Sequence, residues 1–507
     1  MLYFFLPRSA KKITFFISLA LMVFIVSCTK NNMETASKGS LLSNHLMSLA
    51  SPPAATGQPV SAAINQSQHG YNIANNFLGL SYETNNIASD PSFLRADNAV
   101  LLQLIQNLGT SGMIRIGGNS SDKVVCTGNV RNASTGKDSL TTTDVDQLAA
   151  FVSATGGWKL VLGLNLGYYN PSLSANEAVY VSNALGANLY ALQFGNEPAS
   201  YSSNGLRPST YNVNTYMAEW RVYRDSVRNL LPLAPLAGPD ISRVTNNATS
   251  YLKTFADSLH SYINMLSGHY YGDAYSPTSS TDPETVFDSI TSVKTYTSTP
   301  GQLGKINTLA TSYSIPYRIT ECGSVASGGR AGLSDAFGSA LWALDFMWQV
   351  ATNNGQGVNF HGSATALYTP IARTNGVIVP RPGYYAMLAF AYGGSGSSSI
   401  LPVALTANGK LCTAYACTKN GKTFVTLVNR DTVNLSYTLN LTNTVTEMDL
   451  YRLIASSITA KTGITFAGAA VNADGTYSPG SIEQYTVGSN SVVVNVAART
   501  AVVVVLQ

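Results

Sequence analysis

The chain has 507 residues, 45% of them apolar and only 11% charged, with a formal net charge of +4. That length exceeds what one compact core absorbs and calls for two or three domains. Near-neutral charge, with no basic run beyond the N-terminus, excludes a nucleic-acid partner; the surface must be made polar by Ser, Thr, Asn and the 28 Tyr.

At the N-terminus, Arg8, Lys11 and Lys12 precede an apolar run, 13–26, that meets Ser27-Cys28. The run is short for a membrane span, and charge followed by apolar residues is the order of an export signal. Ile25-Val26-Ser27-Cys28 resembles the lipobox of bacterial lipoproteins, which implies removal of residues 1–28 as a signal, lipidation at Cys28 and anchoring to the outer membrane of the cell envelope. An ordinary signal peptide is the alternative. Residues 29–57 are small and polar and read as a flexible tether. Four further cysteines, Cys126, Cys322, Cys412 and Cys417, are too scattered for a disulfide framework. No CxxC or His-rich spacing points to a metal, and no cofactor is expected.

From residue 77 short apolar runs alternate with helical stretches. Strands are predicted over 77–82, 113–117, 159–166, 190–194, 235–238, 265–270, 317–320 and 357–360. Helices are predicted over 95–109, 142–155, 175–186, 211–230, 248–262, 284–312, 334–352 and 383–393. Eight strands with interleaved helices specify an α/β fold, a (β/α)8 TIM barrel over 77–393. An open doubly wound sheet is the weaker reading, because Gly117-Gly118-Asn119-Ser120 lacks the spacing of a phosphate loop. After 394 the texture turns to alternating strands separated by Asn, Gly and Thr. That pattern predicts an antiparallel β-sandwich over 394–507, joined by an N-terminal strand from 58–76.

Active sites on a (β/α)8 barrel lie at the C-terminal strand ends, and two such ends carry a glutamate among only 26 acidic residues. The first is Gln193-Phe194-Gly195-Asn196-Glu197-Pro198; the second is Tyr317-Arg318-Ile319-Thr320-Glu321-Cys322-Gly323. Retaining glycosidases place two carboxyls roughly 5–5.5 Å apart, one as nucleophile and one as acid and then base. An Asn beside the acid suits this chemistry, since its amide can bind the sugar 2-OH. A helix-capping role is the plain alternative for Glu197. By strand alternation Arg318 should face away from Glu321 and form a structural ion pair. Cys322 is read as a buried filler rather than a nucleophile. Cys412 and Cys417, five apart, should lie on opposite faces of one strand.

Asn-Glu-Pro after strand four and a glutamate ending strand seven resemble glycoside hydrolase clan A, and more closely family 79, the heparanase and β-glucuronidase group. The supporting segments are Phe77-Leu78-Gly79-Leu80-Ser81-Tyr82-Glu83, Ile114-Arg115-Ile116-Gly117-Gly118-Asn119-Ser120-Ser121-Asp122, Gly357-Val358-Asn359-Phe360-His361-Gly362 and Pro382-Gly383-Tyr384-Tyr385. The resemblance covers roughly residues 60–507 and implies a retaining hydrolase of β-glucuronides or related uronic-acid glycans. It implies Glu197 as acid/base, Glu321 as nucleophile and Asn196 as the 2-OH ligand. Glu83, Asn119, Ser120 and Asp122 would line the sugar pocket, with a cap or turn role open for Asp122. Tyr271 or His269 would hydrogen-bond the nucleophile, unless they are buried barrel fillers. His361 would touch substrate or serve structure. Glucuronate-specific members hold the sugar carboxylate partly through a tyrosine in the loop after the nucleophile. Residues 322–330 contain none, which leaves main-chain amides at Gly328 and Gly329, with Arg330, for an anion. The competing readings are a clan A glycosidase for a neutral sugar and a glycan-binding surface lipoprotein without hydrolytic activity.

Overall fold

The computed structural model describes residues 50–131, 139–244, 250–273, 280–363, 366–394 and 396–507. The expected signal segment, Cys28 and most of the tether lie outside them.

Eight parallel strands close into a barrel: β1 (Gly79–Glu83), β2 (Met113–Gly117), β3 (Lys159–Leu164), β4 (Leu189–Phe194), β5 (Leu236–Ile241), β6 (Met265–Asp273), β7 (Tyr317–Val325) and β8 (Val358–Gly362). They pair in the cyclic order β7-β8-β1-β2-β3-β4-β5-β6. Strands buried on both faces read as near-continuous apolar runs, which is why all eight were visible in the sequence. Five run further than expected at their C-terminal ends, to Glu83, Ile241, Asp273, Val325 and Gly362. β5 and β7 continue through Asp240 and Glu321 because both carboxylates bond to Arg115 inside the barrel and so need not end a strand.

The lower end of the barrel is plugged by Met113, Val161, Ala191, Ala237 and Met265, a small cluster of its own. Above it the inward positions turn polar: Ser81, Arg115, Gln193, Asp240, His269 and Thr320 are all essentially sealed from solvent. The alternation rule fails for β7. A register shift between Ile319 and Glu321 against β6 lets consecutive residues serve the same network: Thr320 donates to Asp240, and Glu321 accepts from Arg115. The expected ion pair of Arg318 is also corrected. Its guanidinium is cradled by Asn359 Oδ1 at 2.6 Å and by the carbonyls of Asn76, Phe77, Gln356 and Val358. With no carboxylate among these partners, burial pulls its pKa down to about 9.

The helices follow the prediction with three adjustments, the first a short helix, Thr84–Ser89, that was not expected. Asn170 caps a helix that starts at Pro171, earlier than expected. The stretch 284–312 is two helices, Pro283–Ile290 and Val293–Ser312, because the Ser292 side chain accepts from Thr295 N and starts a new turn.

A nine-stranded, mostly antiparallel sheet follows the barrel. One long strand, Leu435–Ile454, has register irregularities near Val445 that let it bend and take different partners along its length. Gln58–Ile64 joins this sheet, parallel to the long strand and antiparallel to Val403–Thr406. The inner faces enclose an apolar core that includes Val60, Leu427, Tyr437, Val494 and Val504. The outer face packs on barrel helices Phe337–Thr352 and Pro382–Gly394, with Trp348 stacked on Tyr415. Cys412 belongs to the inner core and Cys417 to the barrel-facing one, and the four described cysteines are unpaired.

Candidate active site

β4 ends at Phe194, and Gly195-Asn196-Glu197 carry the chain across the barrel mouth. Glu197 adopts a left-handed backbone, φ 50° and ψ 54°, a conformation sparsely populated by non-glycine residues and concentrated at functional sites. Its amide donates to Asp240 O at 3.0 Å, which fixes that conformation. His269, in the sixth strand, sets the side chain: Nδ1 lies 2.8 Å from Glu197 Oε1. The other carboxylate oxygen carries no hydrogen bond among the described residues.

Glu321 is held from two sides. Arg115 Nη1 donates to Oε2 at 2.6 Å, and the Tyr271 hydroxyl donates to Oε1 at 2.7 Å. Between the two sequence candidates for the nucleophile's partner, the hydroxyl of Tyr271 takes that place and His269 serves Glu197. Burial alone would raise the Glu321 carboxyl, but the charges of His361, His269 and Arg115 outweigh it and hold the pKa well below the ordinary range. Tyr271 is pushed the other way, by burial and then by the Glu321 charge, so it remains a phenol that donates.

Arg115 and Asp240 organise this arrangement. Arg115 Nη2 reaches Asp240 Oδ2 at 2.5 Å and Asn196 Oδ1 at 2.8 Å. Asp240 also accepts from Gln193 and Thr320. Its burial penalty is overcome by Arg115 and His269, so it stays ionised. His269 thus faces carboxylates from both ring nitrogens, 2.8 Å to Glu197 and 3.2 Å to Asp240. Burial opposes its charge, yet Glu321 and Asp240 raise its pKa to about 10, and the ring is an imidazolium at neutral pH.

Ligand atoms of Glu197, His269 and Glu321 all lie within 4.8 Å of one another. The spacing invites a metal, but the residues do not fit one. Both ring nitrogens of His269 are already engaged by the carboxylates of Glu197 and Asp240, and Arg115 already supplies the cation at Glu321.

Both glutamates open onto one cavity of about 510 Å³, within the range of small-molecule sites. Glu83, Asn119, Tyr271, Gly328 and His361 from the expected set share its lining. The Glu83 carboxylate is fixed by Ser120 N at 2.8 Å and Ser120 Oγ at 2.5 Å, and it faces His361 Nε2 at 3.6 Å. Gly118, at φ +72°, permits this: a Cβ there would run into the Glu83 carboxyl group. The other ring nitrogen of His361 meets Ser81 Oγ at 2.9 Å.

Five expected contacts stand elsewhere. Ser120 supports Glu83 from behind. Asn196, 3% exposed, spans Arg115 and Asn119 and lines a neighbouring depression that shares Asn119 with the main cavity. Asp122 lies outside the main cavity, in the wall of the same depression: its carboxylate accepts from the amides of Leu166, Gly167 and Asn196 and from the Tyr201 hydroxyl, clasping two loops together. Burial still pushes its pKa up to about 6. Arg330 turns from the cavity toward the Thr281 carbonyl, and the Gly329 amide is engaged by Ala326 O in a turn. Cys322 is sealed, its thiol donating to Asn359 O at 3.4 Å, which rules it out as a nucleophile.

Sequence reasoning missed Arg115, Asp240, Arg243 and Tyr368. Arg115 left a signal, as the sole charge in an otherwise apolar strand. Tyr368, from the loop after β8, lines the cavity beside Gly328 and packs on Tyr271 with ring centroids 5.7 Å apart. It brings a phenol to the region where the loop over 322–330 has none.

No family model matches the chain. A β-glucuronidase of Aspergillus niger is 28% identical over 433 residues, covering 73% of this chain and 78% of that protein. A β-glucuronidase of Neurospora crassa is 26% identical over 327 residues, covering 57% of this chain and 58% of its own length. Among solved structures, a 4-O-α-L-rhamnosyl-β-D-glucuronidase from Fusarium oxysporum 12S superposes with a TM-score of 0.69 at 18% identity, covering 88% of this chain and 100% of that one. An α-L-arabinofuranosidase from Thermotoga maritima gives 0.65 at 12% identity, over 88% of this chain and 100% of that one. The resemblance read from the motifs is borne out by the two fungal enzymes, and the barrel-plus-sheet architecture by the solved structures.

Proposed function

We propose that the protein is a retaining glycoside hydrolase acting on β-glucuronides, with Glu321 as nucleophile and Glu197 as acid/base. The observation that carries the reaction type is the spacing of the two carboxylates, whose oxygens approach within 4.8 Å across one cavity. An inverting pair stands roughly 6.5–9.5 Å apart to admit a water. The likeness to the Aspergillus and Neurospora β-glucuronidases supports glucuronate as the sugar.

The geometry assigns each step. Glu321, ionised between Arg115 and Tyr271, attacks the anomeric carbon as the bond to the leaving oxygen breaks. The Nδ1 proton of His269 passes to Glu197, which delivers it to that oxygen and is left a carboxylate beside a neutral ring. Glu197 then removes a proton from water, and that water releases the sugar from Glu321 and restores its carboxylate. Asn196 lies outside the cavity lining and ties Arg115 to Asn119, which does line it.

Export and lipidation at Cys28 complete the reading, supported by the charge-apolar-Ser-Cys order of the N-terminus. The enzyme would then act at the outer membrane on glycosides outside the cytoplasm. A side-by-side assay of 4-nitrophenyl β-glucuronide, β-galacturonide, β-glucoside and β-xyloside tests the sugar assignment. The glucuronide should be cleaved at least about 100-fold faster in kcat/KM, the worth of two or three charge-assisted contacts to its carboxylate. Preference for the glucoside or xyloside would transfer the site to a neutral sugar.

A further inference from the structure

We propose that Arg243 forms an oxyanion-binding position on the leaving-group side of the cavity, so that the preferred substrate bears a carboxylate or sulfate on the group displaced. This rests on the glycosidase reading and extends it from the sugar retained to the group released.

The barrel order gives the cavity two ends. β8 and β1 are neighbours and bring His361 and Glu83, with Tyr368 and Gly328 beside them. β4 and β5 are neighbours across from these and bring Glu197, Ser242 and Arg243. Glu197 protonates the leaving oxygen, so the departing group must lie toward its end, against Ser242 and Arg243. The retained sugar then fills the end at Glu83 and His361.

Arg243 differs from the other arginines around the mouth. Arg115 is engaged by Glu321, Asp240 and Asn196. Arg381 donates to the carbonyls of Ala366 and Leu367, and Arg330 to that of Thr281. Arg243 is half-buried in the wall and, unlike these three, makes no side-chain hydrogen bond or ion pair among the described residues; its Nε, like those of Arg115 and Arg330, is buried with no acceptor. A guanidinium with one N–H sealed from water and no acceptor carries a desolvation cost on that edge, and an oxyanion supplied by the ligand relieves it with charge-assisted hydrogen bonds. Such a pair reads the charge of the leaving group and leaves the bond-breaking step alone.

Three aryl β-glucuronides of matched shape test this: 3-carboxyphenyl, 3-sulfophenyl and the neutral 3-carbamoylphenyl. Wild-type enzyme should favour the anionic pair. Arg243→Met should lower kcat/KM on an anionic substrate roughly 10- to 100-fold, through KM, while the neutral one stays within about twofold. Arg243→Lys should restore part of the loss, and the anion that loses more identifies carboxylate or sulfate. Equal losses on all three substrates, no loss, or no anionic preference in the wild type would overturn the proposal. Should another sugar be the one cleaved, the same three leaving groups are compared on that sugar, which separates an error in the sugar from an error in Arg243. An enzyme that cleaves none of these glycosides would remove the reading beneath and the proposal with it.

Discussion

Replacing Glu321 with glycine is expected to lower kcat on 4-nitrophenyl β-glucuronide by roughly 10⁴-fold or more, because no other group can form the glycosyl ester. Cys322 cannot substitute, since it is sealed in the core and burial drives its thiol well above the ordinary range. The glycine leaves a hole beside Arg115 and Tyr271 that a small anion can enter. With azide present the variant should regain turnover and release the α-glycosyl azide, the product of one inversion. Glu197→Ala should lose roughly 10²–10⁴-fold, less on substrates whose leaving group needs no proton. Azide should then yield the β-glycosyl azide, because attack comes after the ester has formed. If the two variants gave the azides the other way round, the roles assigned to the glutamates would be exchanged.

Arg115→Met should cost stability as well as activity. Arg115 is sealed inside the barrel, and three of its acceptors are Glu321, Asp240 and Asn196. Removing one side of a buried ion pair leaves the other charge uncompensated, which typically costs about 3–5 kcal/mol. Chemical denaturation should show that loss, with a fall in kcat as Glu321 loses its orienting cation. The acid limb of stability supplies a sharper readout. Asp240 and Glu321 have folded pKa values below their unfolded ones. Their contribution is therefore present above the unfolded values, about pH 4, and is lost as pH falls through the folded ones. The methionine variant should flatten that limb, because carboxylates without Arg115 are no longer held so low. A variant as stable as the wild type, with an unchanged acid limb, would show that Arg115 does not govern these two charges.

Much of this was legible in the sequence, for identifiable reasons. The barrel showed because each strand is buried on both faces and reads as an apolar run. Glu197 and Glu321 showed because an acid at the end of such a run is conspicuous in a chain with so few charges. The organisation beneath them was hidden. Asp240 follows Pro239, where an apolar strand seemed already finished, and only its bonds to Arg115, Gln193 and Thr320 explain why the strand continues. Asp122 sits in a segment that looks like pocket lining, yet its acceptors are engaged by donors at 166, 167, 196 and 201, a coincidence no local spacing reveals. Strand alternation misjudged Arg318 because one register shift in β7 cancels it. Tyr368 and Arg243 lie in loops, where no periodicity says which way a side chain turns.

The sharpest check follows wild-type hydrolysis of an aryl β-glucuronide by proton NMR and reads the anomeric signal in the first minutes. Displacement by Glu321 followed by displacement by water predicts that the β-hemiacetal appears first and only later equilibrates. The α-anomer appearing first would mean that water attacks directly, and that the close approach of these two side chains is not what drives the chemistry.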